Sequence, residues 1–410
     1  MFTIIVAACV LGLGPDEEQA YRAELLADAR ERTSFLSVEN DLGAGHDGRG
    51  FVLADGGPNT LVIGGGMQFR YIANWRGDTD SPDSGFTSGF AFRRLRLMMG
   101  GTVISPRLSY VVQVDLMTED RATLLDSSGE YKLSDSLSLR FGQFKLPFLY
   151  EEALSVFRPL TVERSTVSTV FGIGYSQGLM FQSTLGSMRL QGAFTDGSSA
   201  SNTAYASGGS EADYAFTGRA ELKWAGDWKQ MDQFSSWRSS EYAGMLGAAV
   251  HIQDGGQTAA PGSAQGVTRD RTEVMYTADA SVKGSGWNLF ATGTGRHIED
   301  DENGTSFDDF GFVASAGIFA TDQLEPFVRY TGVYADEDRS QGSAWNEYAA
   351  GFNYFFVPES QAAKFTLDLS YMPDAQADSS SLIQANPVGT NLLASEGSQF
   401  MIRAQMQLVF

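Results

Sequence analysis

Cationic side chains that could hold a small oxyanion recur at strand spacing in the first half of this chain. Arg94 and Arg96 lie two residues apart, and Leu95, Leu97 and Met99 occupy the alternate positions. On an extended strand residues two apart share a face. Arg94 and Arg96 therefore share one face and the apolar residues the other. The same alternation puts Arg70 and Arg140 on the polar faces of their segments, with Lys145 and Arg164 further along. A guanidinium suits an oxyanion because its planar fork donates paired, charge-assisted hydrogen bonds and keeps its proton. The competing role is structural: these arginines could pair with carboxylates such as Asp115, Asp126 or Glu130 and merely fill a wall. Arg93 falls on the apolar, lipid-side face, at a boundary or bulge where it can snorkel.

Other chemistries find little support. The three histidines, His46, His251 and His297, stand without a nucleophile motif, so no catalytic residue is assigned and no enzyme is expected. A single cysteine, Cys9, excludes an intrachain disulfide and a cysteine-based zinc site; no metal and no cofactor are expected. Acidic residues outnumber basic ones 50 to 29, a net charge of −21, so no nucleic-acid partner is expected. Six of the basic residues are lysines. Acidic clusters at Asp78, Asp80 and Asp83, at 299–302 and at Asp336–Asp338 would repel anions over about a Debye length, roughly 8–10 Å.

The elements that must position these groups fall into three zones. Residues 1–14 are apolar and read as the remnant of a signal peptide, although no Lys or Arg precedes the run. Val6-Ala7-Ala8-Cys9 also resembles a lipoprotein acylation site. Residues 15–60 read as a periplasmic helix, Pro15–Leu36, followed by a Gly/Asp-rich linker around 43–59. From 61 to 410 the hydrophobic period changes to two. Phe365, Leu367, Leu369 and Tyr371 alternate with Lys364, Thr366, Asp368 and Ser370, and Phe400 to Phe410 alternates with Arg403, Gln405 and Gln407.

About sixteen such segments follow: 61–75, 89–101, 107–118, 122–133, 136–146, 176–186, 187–196, 213–224, 241–252, 272–284, 286–297, 309–320, 323–334, 345–357, 361–372 and 399–410. Roughly 9–14 residues is the length of a tilted membrane-spanning strand. No apolar run of about 18 residues offers a transmembrane helix instead. The expected fold is all-β, a transmembrane antiparallel barrel of about 16 strands in outer-membrane lipid. Connections alternate long and short, as outer loops and inner turns do. The inner stretch 225–240 is too long for that rule, and the outer one at 119–121 too short. Tyr71, Trp75, Tyr334, Tyr354 and Phe356 sit near strand ends, where aromatic girdles form. Thr366 and Ser370, facing the lumen, are expected to accept arginine more readily than Leu367 and Leu369, facing lipid.

With those segments in hand, the chain resembles the phosphate-selective porin O and P family. Phe92-Arg93-Arg94-Leu95-Arg96-Leu97, Gly100-Gly101 and Leu108-Ser109-Tyr110 to Asp115 look like its second and third strands. Leu139-Arg140-Phe141-Gly142-Gln143-Phe144-Lys145-Leu146-Pro147-Phe148 resembles its signature "RxGQFKxPF", and Glu163-Arg164 its following Glu-Arg pair. Gly351-Phe352-Asn353-Tyr354-Phe355 and the terminal aromatic are similar to its late strands, and the segments 23–36 and 64–71 to planctomycete members. The resemblance spans about 60–410. It implies a bacterial outer-membrane homotrimer of sixteen-stranded barrels, arginines down one lumen wall, and a third outer loop, here Pro147 to Tyr175, folded inward as a constriction. The expected function is a passive channel for small hydrophilic solutes, with anions such as phosphate favoured. The alternatives are an unselective or cation-preferring porin, an outer-membrane hydrolase and a closed structural barrel.

Overall fold

The computed structural model describes residues 43–46, 50–54, 57–77, 85–118, 121–203, 211–255, 271–300, 304–339, 344–373, 382–383, 385–387, 389–393 and 397–410. The expected signal segment and the helix Pro15–Leu36 lie outside these residues. The strands are β1 (Gly43–His46), β2 (Phe51–Ala54), β3 (Thr60–Arg76), β4 (Phe86–Val103), β5 (Ser105–Thr118), β6 (Arg121–Lys132), β7 (Leu137–Lys145), β8 (Tyr175–Leu185) and β9 (Met188–Thr195). They continue as β10 (Tyr214–Ala225), β11 (Ala243–Gly255), β12 (Arg271–Gly284), β13 (Trp287–Asp300), β14 (Thr305–Ile318), β15 (Leu324–Tyr334), β16 (Ala344–Phe355), β17 (Ala363–Met372) and β18 (Gln399–Val409).

From β3 to β18 each strand pairs antiparallel with the next, and β18 pairs with β3, with Gln405 opposite Arg70 and Val409 opposite Gly66. Sixteen strands thus close on themselves, which removes the unpaired edges that lipid would not tolerate. The seam is completed by mutual backbone bonds between Gly65 and Phe410. Alternation decides which side chains meet lipid: on β18 Phe400, Met406 and Leu408 are exposed while Met401, Arg403, Gln405 and Gln407 are buried in the lumen.

Two features depart from the sequence reading. Part of the expected linker is β-structure: β1 and β2 pair with each other, and β2 pairs with the start of β3, Phe51 opposite Ile63. Arg93 does not face lipid. Gln68 pairs with Arg94 but Phe69 pairs with Phe92, so Arg93 is the extra residue of a β-bulge. A bulge adds one residue and re-aims its side chain; Arg93 turns into the barrel, 2.6 Å from Glu163.

The ends of the barrel differ as outer and periplasmic ends should. Leu185 and Met188 are joined through Gly186, whose φ of +59° a glycine adopts without strain. Outside, Trp75 packs on Phe86 and Phe400 at the opposite rim. Phe141 lies over Gly129 on the lipid face, where an added Cβ would sit 2.5 Å from the ring.

Candidate functional site

The 146–174 connection carries two short helices, α1 (Tyr150–Ala153) and α2 (Thr166–Phe171), and does not stay at the rim. It crosses the lumen. Polar wall side chains take up its backbone carbonyls one after another: Arg219 that of Phe148 at 2.9 Å, Gln68 that of Val156 at 3.1 Å, and Gln407 that of Phe157 at 2.9 Å. Lys364 takes Pro159, Asn353 takes Leu160 and Arg329 takes Glu163. Buried loop carbonyls must be satisfied, and here the wall does it with donors on β3, β10, β15, β16, β17 and β18. The loop also folds on itself. Ser165 caps α2 through the Ser168 N–H and donates to Glu151, while Glu152 accepts from the backbone of Ile173 and Gly174.

Glu163 is the hub. Its carboxylate accepts from Arg70 at 2.6 Å, Arg93 at 2.6 Å and Arg94 at 2.8 Å. Burial opposes its ionisation, but the three guanidiniums outweigh that and hold its carboxyl well below the usual carboxylate range. Arg70 and Arg94 do face the lumen, yet both are buried against this carboxylate, Gln405 and Gln68. The remaining residues singled out in the sequence sit elsewhere. Arg96 is paired with Asp115 at 2.9 Å, and Asp126 accepts from Ser128. Arg140 lies 3.8 Å from Glu130, which also accepts from Gln182. Lys145 donates to the carbonyl of Glu152 at 2.8 Å, and Arg164 to the carbonyls of Glu152 and Leu154 at 2.9 and 2.5 Å. These two cations rest on backbone carbonyls rather than carboxylates.

The loop fills the lumen unevenly. Against β10–β18 it builds two apolar clusters, one with Phe148, Val167 and Phe171 on Met275, Val313 and Trp345, the other with Tyr150, Leu154 and Leu160 on Met245, Phe290 and Phe327. Inward polar residues there are buried too, including Thr331, Glu347, Asp368 and Ser370. Phe144, Met180 and Ala193 of β7–β9 belong to the first cluster as well and are buried, but nearer the periplasmic turns the inward charges of β6–β9 stay open. Arg140 keeps 27%, Glu130 24% and Arg189 30% of their side-chain surface exposed. A cavity of about 360 Å³ lies at the periplasmic end of this wall between Glu130, Ser138, Gln182, Arg189 and Gln191.

Arg189 was missed in the sequence, where it stands alone in a short strand between Met188 and Leu190. Alternation alone would have turned it inward. His251 is bonded to Thr217 and Gln253, and His297 to Asp308.

Comparison with known proteins places this geometry. A family profile described as phosphate-selective porin O and P matches residues 66–410. No curated protein sequence matches the chain. Among solved structures, an anion-selective porin from Comamonas acidovorans superposes with a TM-score of 0.58 at 11% identity, covering 85% of this chain and 99% of that one. The outer membrane channel DcaP of Acinetobacter baumannii gives 0.54 at 11% identity, with 85% and 97% covered. The trimer form of the outer membrane protein OmpT of Vibrio cholerae gives 0.55 at 10% identity, with 85% and 99% covered. At such identities these structures share the fold.

Proposed function

The chain belongs to the phosphate-selective porin O and P family, an outer-membrane porin of the β-barrel type, and from that premise we propose that it passes small anions, phosphate among them. One observation supports this reading: Lys145 and Arg164, where the loop begins and turns back, donate to backbone carbonyls and form no ion pair among the described residues. Arg140, with its carboxylate partner 3.8 Å away, continues the cationic path toward the periplasm. Several weak sites in series let a channel bind an ion and release it. The protein works without catalysis, as a homotrimer in outer-membrane lipid.

Single-channel recording under a potassium chloride gradient tests this. The wild type should prefer anions at both low and high salt, and phosphate should block its chloride current. Arg140→Ala with Arg164→Ala should move the reversal potential toward cations and weaken the block. A wild type that prefers cations at high salt and ignores phosphate would establish the cation-preferring reading. That second reading rests on the outer connection at 335–343. There Asp336 accepts the backbone N–H groups of Asp338 and Asp308, which draws its carboxyl below the usual range and keeps it charged.

A further inference from the structure

The connection between β10 and β11, residues 226–242, lies at the periplasmic end, where inner turns are short, yet it is one of the longest in the chain. It begins with a 3-10 helix, Trp228–Asp232, started by Asp227, whose side chain and backbone exchange bonds with the first turn. The segment turns into the barrel. Met231 and Phe234 are buried against Tyr150, Leu154 and Leu160 of the constriction loop. Tyr150 donates to the carbonyl of Met231 at 2.5 Å and Arg158 to that of Asp232 at 2.7 Å. Lys283 donates to the carbonyls of Gln230 and Gln233, Ser235 to Glu325, and Trp237 packs edge-on against Phe355. The filled half of the lumen is therefore closed from both ends, and the two plugs meet.

The start of the same segment reaches the open half. The Trp228 indole N–H donates to the carbonyl of Gly186 at 3.0 Å, fastening the ring beside the β8–β9 turn. The Arg189 guanidinium lies 4.3 Å from the centre of that ring and 3.2 Å from Glu221. Glu221 is shared with Arg219, which also holds Asp279, and Lys223 stands 5.5 Å over the same indole. Arg189 is the member of this cluster that lines the 360 Å³ cavity. Stacking on an indole attracts the guanidinium to the ring face and limits where a long cation can swing.

We propose that residues 226–242 form a second, periplasm-side plug, and that Trp228 within it positions Arg189 as the selectivity-determining cation of the cavity at the periplasmic end of the β6–β9 wall. The proposal rests on the porin reading, and its first test does not need current. On a Cys9→Ser background, Gln191→Cys in the open wall and Asn288→Cys, beside the Glu325 carboxylate that Ser235 of the segment holds, are treated with an anionic methanethiosulfonate, and labelling is read by mass. Labelling of Gln191→Cys at least tenfold faster than Asn288→Cys is expected; equal rates would mean that no plug exists.

The second test is the chloride-to-potassium permeability ratio. Arg189→Gln should lower it about twofold and weaken phosphate block from the periplasmic side more than from the outside. Trp228→Ala should do the same although it offers the ion no charge, Trp228→Phe should restore the wild-type ratio, and Trp228→Ala with Arg189→Gln should be no worse than either alone. An unchanged ratio in Arg189→Gln, or additive effects in the double variant, overturns the assigned roles. A chain that labels as expected but carries no current overturns the porin reading, and the selectivity role with it, while leaving the plug in place.

Discussion

Along β10–β18 nearly every inward charge is locked. Arg403 is held by Asp368 at 2.7 Å with both side chains almost wholly buried, and Arg219 and Arg329 are held by Asp279 and Glu347. Along β6–β9 the corresponding pairs are looser and wetter, with Arg140 and Glu130 3.8 Å apart. Both walls obey the same alternation and differ in what their inward face meets. Where the loop and the 226–242 segment lie against the wall, each charge needs a partner because water is gone. Where nothing covers the wall, water solvates the charges and they remain available to a passing ion. On the proposed channel reading, selectivity would be set by which cations the loop leaves uncovered.

The largest expected effect breaks the locked side at its hub. Glu163→Gln leaves Arg70 and Arg94 buried without a counter-charge and should cost about 3–5 kcal/mol, the penalty for removing one partner of a buried pair. Glu130→Gln on the open side should cost about 0–1 kcal/mol. Urea unfolding in lipid vesicles measures both, and equal losses would erase the distinction between the walls. The pH dependence follows in sign. A carboxyl held low contributes stability above its unfolded value and loses it as pH falls through its folded one. Glu163 should therefore keep the loop anchored until the pH is well below the usual glutamate range.

A smaller effect comes from adding bulk rather than removing charge. Leu369→Arg, on the lipid face, should cost about 2–4 kcal/mol if near the midplane. Ser370→Arg, expected from sequence alone to be mild, now should not be. Ser370 is wholly buried, donates to Glu347 and accepts from Arg403. Overpacking there should cost about 1–3 kcal/mol, before repulsion from Arg403 is counted. Gln191→Arg on the open wall should fall within about 0.5 kcal/mol of wild type. If Ser370→Arg matches Gln191→Arg in the same unfolding assay, the lumen beside β17 is not filled.

The strands were legible because period two is written in every residue, and the sixteen segments read from sequence correspond one to one with β3–β18. The bulge at Arg93 was legible only as one of two options, since one inserted residue leaves the pattern on either side intact and the partner strand is needed to choose. Glu163 and Arg164 stood out through family resemblance, yet nothing local says that Glu163 would gather arginines 93 and 69 residues away. The filled half did leave a trace. Met275, Phe290, Val313, Phe327, Val333 and Trp345 fall on the lumen face of their strands, where an open channel would place polar groups. The overlong inner connection carried another in Trp228, Met231, Phe234 and Trp237, too apolar for a solvated turn.

The smallest expected effect separates the rim from the lumen. Glu337 and Asp338 are exposed on the outer connection at 335–343, so Glu337→Gln with Asp338→Asn should leave folding alone and act only on ions approaching the mouth. At about 10 Å in water one unit charge is worth about 0.4 kcal/mol, a factor of about two in local anion concentration. At about 0.01 M salt the Debye length is about 30 Å and that factor survives; at about 1 M it is about 3 Å and the factor vanishes. The double variant should therefore raise chloride conductance about two- to fourfold in dilute salt and not at all in concentrated salt. Arg140→Ala, inside the lumen rather than at the mouth, should shift selectivity at both. A rim effect that persists at high salt would mean that these carboxylates hang into the passage itself, and the acidic connection would then belong with the open wall.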